Sequence, residues 1–193
     1  MEVRIALIAI VSLALFSFAN AAPTIIMDAE HHNGSFMYGS GEGGFVQAGF
    51  WSNPTSVPTG WVETTASMYT TAMGFIQAGS IAEAVNNTGV QVETGKAYTL
   101  KADLGGGAGT HALVRLYATQ NADGTGDKHL IVSIDRVGQP TDEYNLFTVS
   151  NTSTGVSATL AGYYLQVVIG GPYSYFNAYI AGNYDNIEVS CDV

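Results

Sequence analysis

The side chains in this sequence best suited to chemistry are a cluster of tyrosines and a small number of carboxylates. Six of the eleven tyrosines fall between Tyr163 and Tyr184, around the stretch Gly170-Gly171-Pro172-Tyr173-Ser174-Tyr175-Phe176-Asn177-Ala178-Tyr179. Flat rings beside hydroxyl and amide groups suit an amphipathic ligand such as a sugar, whose C–H face stacks while its hydroxyls bond outward. The same rings would accept an apolar aromatic substrate. Tyr173, Tyr175 and Tyr179 are therefore candidate ligand-binding residues, with Trp51 beside them from the Gly-, Ser-, Pro- and Thr-rich stretch 39–60. The competing reading is packing, because Tyr is a favoured strand residue, and it is the expectation for Tyr163 and Tyr184.

Among the acids, Asp185 carries the most information. In a strand from Tyr184 to Ser190 it shares parity with Ile187 and Val189, which are expected to face the core. A buried, uncompensated carboxylate costs several kcal/mol even after relaxation, and only Arg115 and Arg136 are plausible basic partners within strands. A bound cation is the simpler compensation, and calcium takes hard oxygen ligands from carboxylates, amides and backbone carbonyls. The alternative is that Asp185 merely starts the strand in solvent. Asp123-Gly124-Thr125-Gly126-Asp127 offers a second pair of carboxylates, but Asp-Gly is a strong hairpin signal and a hairpin is expected.

Other chemistries find little footing. His31, His32, His111 and His129 lack zinc-site spacing and read as surface residues. No serine sits in a nucleophile-elbow setting, and Gly105-Gly106-Gly107-Ala108-Gly109 leads into a strand, not into a phosphate-binding helix. The sequons at Asn33, Asn86 and Asn151 are weak signals in a chain so rich in Asn, Ser and Thr.

Composition narrows the partners. Arg4, the apolar run Ile5 to Phe18 and the small residues Ala19-Asn20-Ala21 read as a signal peptide over 1–21, the run being short of the roughly 20 residues a bilayer span needs. Residues 22–193 are then one exported domain, extracellular or periplasmic, without membrane insertion. Loss of Glu2 and Arg4 leaves the net charge at −10. Such a charge repels phosphate backbones and anionic bilayers, so nucleic acid is not an expected partner. With Cys191 the sole cysteine, no internal disulfide is available, and stability must come from core burial or bound metal. Cys191 itself reads as a packed or solvent-facing thiol, with an intermolecular disulfide as the alternative.

The elements that must position these residues read as β throughout. Gly is abundant at 23 residues, no stretch sustains helical spacing of apolar residues, and short β-rich runs recur between turns. The clearest is Tyr98 to Leu104, where Tyr98, Leu100, Ala102 and Leu104 share one face. Ala112 to Ala118, Leu130 to Ile134, Asn145 to Val149, Tyr163 to Ile169 and Tyr184 to Ser190 follow the same pattern. The stretch Ile76 to Val85 has some helical character but is expected to be a strand. The expected fold class is all-β, a two-sheet antiparallel β-sandwich of jelly-roll type.

Four short motifs fall in a familiar order: Asn33-Gly34-Ser35-Phe36, Gly60-Trp61, Gly95-Lys96-Ala97-Tyr98-Thr99-Leu100 and Tyr184-Asp185-Asn186-Ile187-Glu188-Val189. In these the chain resembles the carbohydrate-binding-module-like jelly rolls, and most of all the Stig (hapalindole-type) cyclases and their secreted relatives. The resemblance implies that the N-terminal motif and Asp185 lie together and help build a structural calcium (Ca2+) site, with Asn33 in the motif. It also implies that Trp61 is a core residue. The family's motif usually closes on Glu where this chain has Met37, so Asp28 or Glu30 would have to supply the missing carboxylate.

Three functions are consistent with these residues. The leading one is a non-catalytic module that binds a glycan or cell-surface polymer through Tyr173, Tyr175, Tyr179 and Trp51. The resemblance implies a second, a calcium-dependent cyclase or isomerase acting by acid catalysis on an isoprenoid-indole type substrate, with an acid beside a tyrosine. The third is a structural component of an extracellular matrix. A homodimer is left open by the resemblance.

Overall fold

The computed structural model describes residues 22–36, 49–50, 57–63, 68–70, 76–78, 83–109, 111–139, 142, 145–170 and 182–192. Twelve strands are present among the described residues: β1 Thr24–Met27, β2 Gly49–Phe50, β3 Trp61–Glu63, β4 Met68–Thr70, β5 Ile76–Ala78, β6 Glu83–Gln91, β7 Tyr98–Gly105, β8 His111–Thr119, β9 Lys128–Val137, β10 Leu146–Thr152, β11 Tyr164–Gly170 and β12 Gly182–Cys191. A single 3₁₀ turn, Ala158–Leu160, is the one helical element among the described residues. No helix among them is long and apolar enough to cross a membrane.

The strands form two antiparallel sheets. One runs β10-β7-β12-β5-β4-β2, with β1 on the far end of β12; the other runs β3-β6-β11-β8-β9. This is the expected all-β sandwich, and its core follows from period-2 alternation. Tyr98, Leu100, Ala102 and Leu104 of β7 are all fully buried, as are Ala112, Val114, Leu116 and Ala118 of β8. Leu165, Val167 and Ile169 of β11 and Val132 and Ile134 of β9 line the core from the same sheet as β8, facing β7. Each large apolar side chain so buried is worth about 1.5–3 kcal/mol, which is how a chain without disulfides holds together.

The segment Ile76 to Val85 departs from expectation. It is not one strand but two, β5 and β6, and they belong to different sheets. Ile76 pairs with Tyr184 while Val85 pairs with Val168, so the chain crosses the sandwich between them. Local β propensity cannot register such a crossing.

Asp123-Gly124 does form a hairpin, joining β8 to β9. The Asp123 carboxylate accepts from Thr125 N at 3.0 Å and Thr125 Oγ1 at 2.6 Å, which closes the turn on itself. Gly124, at φ 82°, lies against the Asn87–Gln166 side-chain pair, and an added Cβ would collide with Gln166 Nε2. Cys191 is 1% exposed and sits opposite Tyr98, so it is a packed thiol. Of the three sequons, Asn33 and Asn86 are buried and Asn151 is exposed.

Candidate functional site

The N-terminal segment folds as a compact loop after β1. Asp28 Oδ1 accepts from Glu30 N at 2.8 Å, His31 N at 2.7 Å and His31 Nδ1 at 2.8 Å, and these bonds hold its carboxyl below the usual range against the opposing effect of burial. His31 and His32 therefore lie in a turn and not on a strand. His32, Asn33 and Phe36 adopt φ of 58°, 55° and 55°, a region that costs a non-glycine residue about 1–3 kcal/mol unless its surroundings hold it. Packing holds it here. Phe36 stacks on Trp61 with ring centroids 5.0 Å apart, Trp61 Nε1 donates to Asn33 O at 3.1 Å, and Asn86 Nδ2 donates to His32 O at 2.8 Å. Trp61, at 3% exposed, is the core residue the motif implied.

This loop docks on β12. Ile187 N donates to Gly34 O at 2.8 Å, and Gly34 N donates to Asp28 O at 2.7 Å. Only glycine fits there, because a Cβ would stand 2.0 Å from Ile187 O and 2.9 Å from Asp28 O. The docking point coincides with a β-bulge in β12 between Asp185 and Glu188, where Asn186 takes φ 48°.

The bulge overturns the expected orientation of Asp185. One residue is inserted against β7, so Tyr184, Ile187 and Val189 are the core residues, and Asp185 lies on the other face of the sheet. Its register partner there is Asp103, whose own neighbour on β10 is Thr148. Thr148 Oγ1 donates to Asp103 Oδ1 at 2.6 Å, Asn186 Nδ2 donates to Asp103 Oδ2 at 2.8 Å, and Asn186 N donates to Asp185 Oδ1 at 2.8 Å. Arg115 and Arg136 are occupied elsewhere, by Glu83 at 2.9 Å and Asp142 at 2.7 Å. Partial burial, outweighing the Asn186 bond and reinforced by the Asp103 charge, pushes the Asp185 carboxyl up to about 6.

Tyr184 points the opposite way. It is 1% exposed, its hydroxyl accepts from Leu113 N at 3.2 Å, and burial raises it to about 12. Adjacent in sequence, Tyr184 and Asp185 are thus separated by the sheet and do not form an acid–tyrosine pair.

Of the four candidate calcium ligands, the structure joins Asn33 and Asp28 in one loop and docks that loop two residues from Asp185. Glu30 sits exposed on the same loop. Asn33 is 6% exposed, with its amide nitrogen 3.3 Å from Thr59 O. The oxygens fit a hard cation in kind, since the carbonyls of Asp28 and Ile187 flank Gly34. No group of three His, Cys, Asp or Glu side chains among the described residues converges as a metal cluster.

Tyr173, Tyr175, Tyr179 and Trp51 lie outside the described residues, as do the segment 1–21 and Met37. The stems of the tyrosine-rich segment are described. It leaves the smaller sheet at Gly170, paired with Glu83, and enters the larger at Gly182, paired with Ala78. Arg115 secures the first stem, Nη2 donating to Gly170 O at 2.7 Å and to Glu83 Oε2 at 2.9 Å, and Nη1 donating to Tyr117 OH at 3.2 Å. Nearby, His111 Nδ1 meets Asp135 Oδ2 at 3.0 Å. At the second stem Asn183 is 1% exposed and its Oδ1 has no hydrogen-bond partner among the described residues. Sequence reasoning named Arg115 only as a possible partner for Asp185 and did not single out Glu83 or Asn183, because the signal that joins them to the stems is spatial.

Two packed antiparallel sheets in this order, with the N-terminal loop seated on a bulged last strand, decide the architecture. It is a two-sheet antiparallel β-sandwich of jelly-roll type. A solved CBM4 module matches with a TM-score of 0.50 at 19% identity, over 70% of this chain and 96% of that one. The CBM22-1 xylan-binding domain from Paenibacillus barcinonensis matches with a TM-score of 0.52 at 11% identity, over 90% and 98%. A Stig cyclase from Fischerella sp. TAU, solved with an indole ligand, matches with a TM-score of 0.52 at 11% identity, over 89% and 98%. No protein-family model and no curated protein matches the sequence. The jelly roll is therefore shared between sugar-binding modules and an enzyme family, and fold alone does not choose between them.

Proposed function

We propose that residues 22–193 form an exported, non-catalytic module that binds a neutral glycan through Tyr173, Tyr175, Tyr179 and Trp51, with calcium bracing the junction of the N-terminal loop and β12. The observation that carries this reading is the placement of the tyrosine-rich segment's two stems. Gly170 and Gly182 belong to different sheets, and hydrogen-bonding side chains surround them: Glu83, Arg115, His111, Asp135 and Asn183. An aromatic-rich segment whose two described stems sit on different sheets among polar groups suits a ligand that stacks on one side and hydrogen-bonds on the other. The xylan-binding module of the same fold supports the ligand class. A net charge of −10 disfavours anionic polymers and leaves neutral glycans.

Calcium would be held by Asp185 with oxygens of Asn33, Asp28 and Glu30. The test is a glycan array with the chain lacking residues 1–21, run with calcium and with chelator. At least one neutral polysaccharide is expected to bind, and the combined Tyr173→Ala, Tyr175→Ala and Tyr179→Ala variant should bind about tenfold or more weakly, as loss of about 1.4 kcal/mol of stacking requires. No binding in either condition would sink the reading. Turnover of an indole-isonitrile substrate, followed by mass spectrometry, would replace it with the cyclase reading.

A further inference from the structure

At the opposite end of β11 from the tyrosine-rich segment, a groove of about 360 Å³ opens between β9 and the connection from β10 to β11. This lies within the range of about 300–1,000 Å³ usual for small-molecule sites, at its lower end. Ile131, Val156 and Leu160 supply apolar wall, and Leu130, 55% exposed, stands in the groove lining. Thr154 and Thr159 bring hydroxyls, and His129 brings an imidazole whose ring lies 5.6 Å from that of Tyr163. None of the groove's lining residues is Asp, Glu, Lys or Arg, although the chain as a whole carries −10.

The groove is built in advance of any ligand. Ser153 N donates to Tyr98 O at 2.8 Å, Val156 N to Lys96 O at 2.9 Å, and Gly95 N to Val156 O at 2.7 Å, so the connection is stitched to the loop before β7. Leu160 N donates to Ser157 O at 3.1 Å, Tyr163 N donates to Leu160 O at 3.1 Å, and the Ser157 hydroxyl caps the 3₁₀ turn through Thr159 N at 3.3 Å. Side chains on such a frame lose little freedom when a ligand arrives. On the other wall, β9 is the edge strand of its sheet, so backbone groups of His129–Ile131 are not all consumed by pairing.

We propose that this groove is a second binding site, which takes one ring of a neutral sugar, its C–H face against Leu130, Ile131 and Val156 and its hydroxyls on Thr154, Thr159 and His129. A charged ligand would find no Asp, Glu, Lys or Arg in the lining, and a purely apolar one would make no use of the Thr154 hydroxyl and the His129 imidazole. The groove shares a ligand class with the function proposed above but not a site. The groove lies at the Tyr164 end of β11 and the described stem of the tyrosine-rich segment, Gly170, at the other, about 20 Å away at about 3.3 Å per residue, so either can fail alone.

The probes are xylobiose, cellobiose and laminaribiose, titrated separately into the ¹⁵N-labelled chain without residues 1–21 and followed by amide chemical shifts. At least one is expected to shift amides in 128–131 and 154–160 in a saturable manner. Thr154→Trp, which fills the groove from an exposed position, and Leu130→Asp, which puts a charge in its lining, should each weaken that titration at least tenfold. Substitution of Tyr173, Tyr175 and Tyr179 by Ala should leave it unchanged. Circular dichroism melts identify any variant that fails to fold, and His129→Ala then serves in its place. Absence of saturable shifts at these amides with all three sugars would overturn the proposal. Equal affinity of Thr154→Trp and the unsubstituted chain would overturn it as well. Array binding lost with the tyrosines but indifferent to Thr154→Trp, without shifts in the groove, would overturn the second site and leave the first reading standing.

Discussion

Asp185→Asn is expected to stabilise the protein above about pH 6 in chelator and to leave it unchanged near pH 4. The Asp185 carboxyl is raised from 3.8 to about 6, chiefly by burial and secondarily by the Asp103 charge opposite it. A carboxyl bound more tightly to its proton in the folded state favours folding when protonated. That contribution is fully present below about 3.8 and is lost as pH rises through about 6, so the wild-type chain carries an uncompensated carboxylate at neutral pH. The full shift would correspond to about 3 kcal/mol, but the group retains solvent access, and about 1–2 kcal/mol is the defensible expectation after screening. For a domain of this size that is a rise of about 2–8 °C in Tm.

Calcium should invert the comparison. If Asp185 is a ligand, saturating calcium raises the wild-type Tm through binding to the folded state alone, and Asp185→Asn loses most of that gain. Melts of both proteins from about pH 4 to pH 8, in chelator and in calcium, read all of these quantities. A lower Tm for the variant in chelator at neutral pH would contradict the burial argument. An equal calcium response in both proteins would remove Asp185 from the ligand set, and no calcium response in either would remove the metal.

Gly34→Ala is expected to destabilise by about 3 kcal/mol, a fall of about 6–12 °C in Tm. The added methyl group would meet two backbone carbonyls, Ile187 O at 2.0 Å and Asp28 O at 2.9 Å, and neither is the mobile end of a side chain. Relief requires the N-terminal loop to lift from β12. That movement forfeits the Ile187 N to Gly34 O bond and loosens the Phe36–Trp61 stack. Gly95→Ala is the control, since Gly95 has φ 80° but nothing within 4 Å of an added Cβ. It should cost only the about 1–2 kcal/mol of a left-handed backbone. Urea denaturation midpoints compare the two, and an equal loss for both would show that the loop's contact with β12 carries no particular weight.

The contrast between these two residues marks how far the sequence could be read. The strand β7 was legible because Tyr98, Leu100, Ala102 and Leu104 alternate with polar residues, and a pleated backbone sends alternate side chains to opposite faces. Trp61 was legible through its motif, and the Asp123-Gly124 turn through its chemistry. Asp185 was misread by the same rule that succeeded at β7. Parity with Ile187 placed it in the core, and one inserted residue at Asn186 reversed that placement. Asn tolerates a left-handed conformation, but the Asp-Asn pair does not say that it uses one. Ile76 to Val85 failed for a related reason: two strands of matching propensity lie in different sheets, and nothing local records the crossing.

By itself the sequence determined the all-β class, the sandwich and its principal core faces, because side-chain period, turn residues and apolar content act over a few residues at a time. Only the tertiary structure decided which face receives Asp185, that Asp103 opposes it, that Arg115 is spent on Glu83 and Gly170, and that a groove forms between residues 129–131 and 154–160. Those outcomes depend on register, bulges and sheet crossings that bring together residues far apart in the chain, Asn186 and Asp103 among them. Such long-range pairings are set by the packing of the whole chain and not by any short stretch of it.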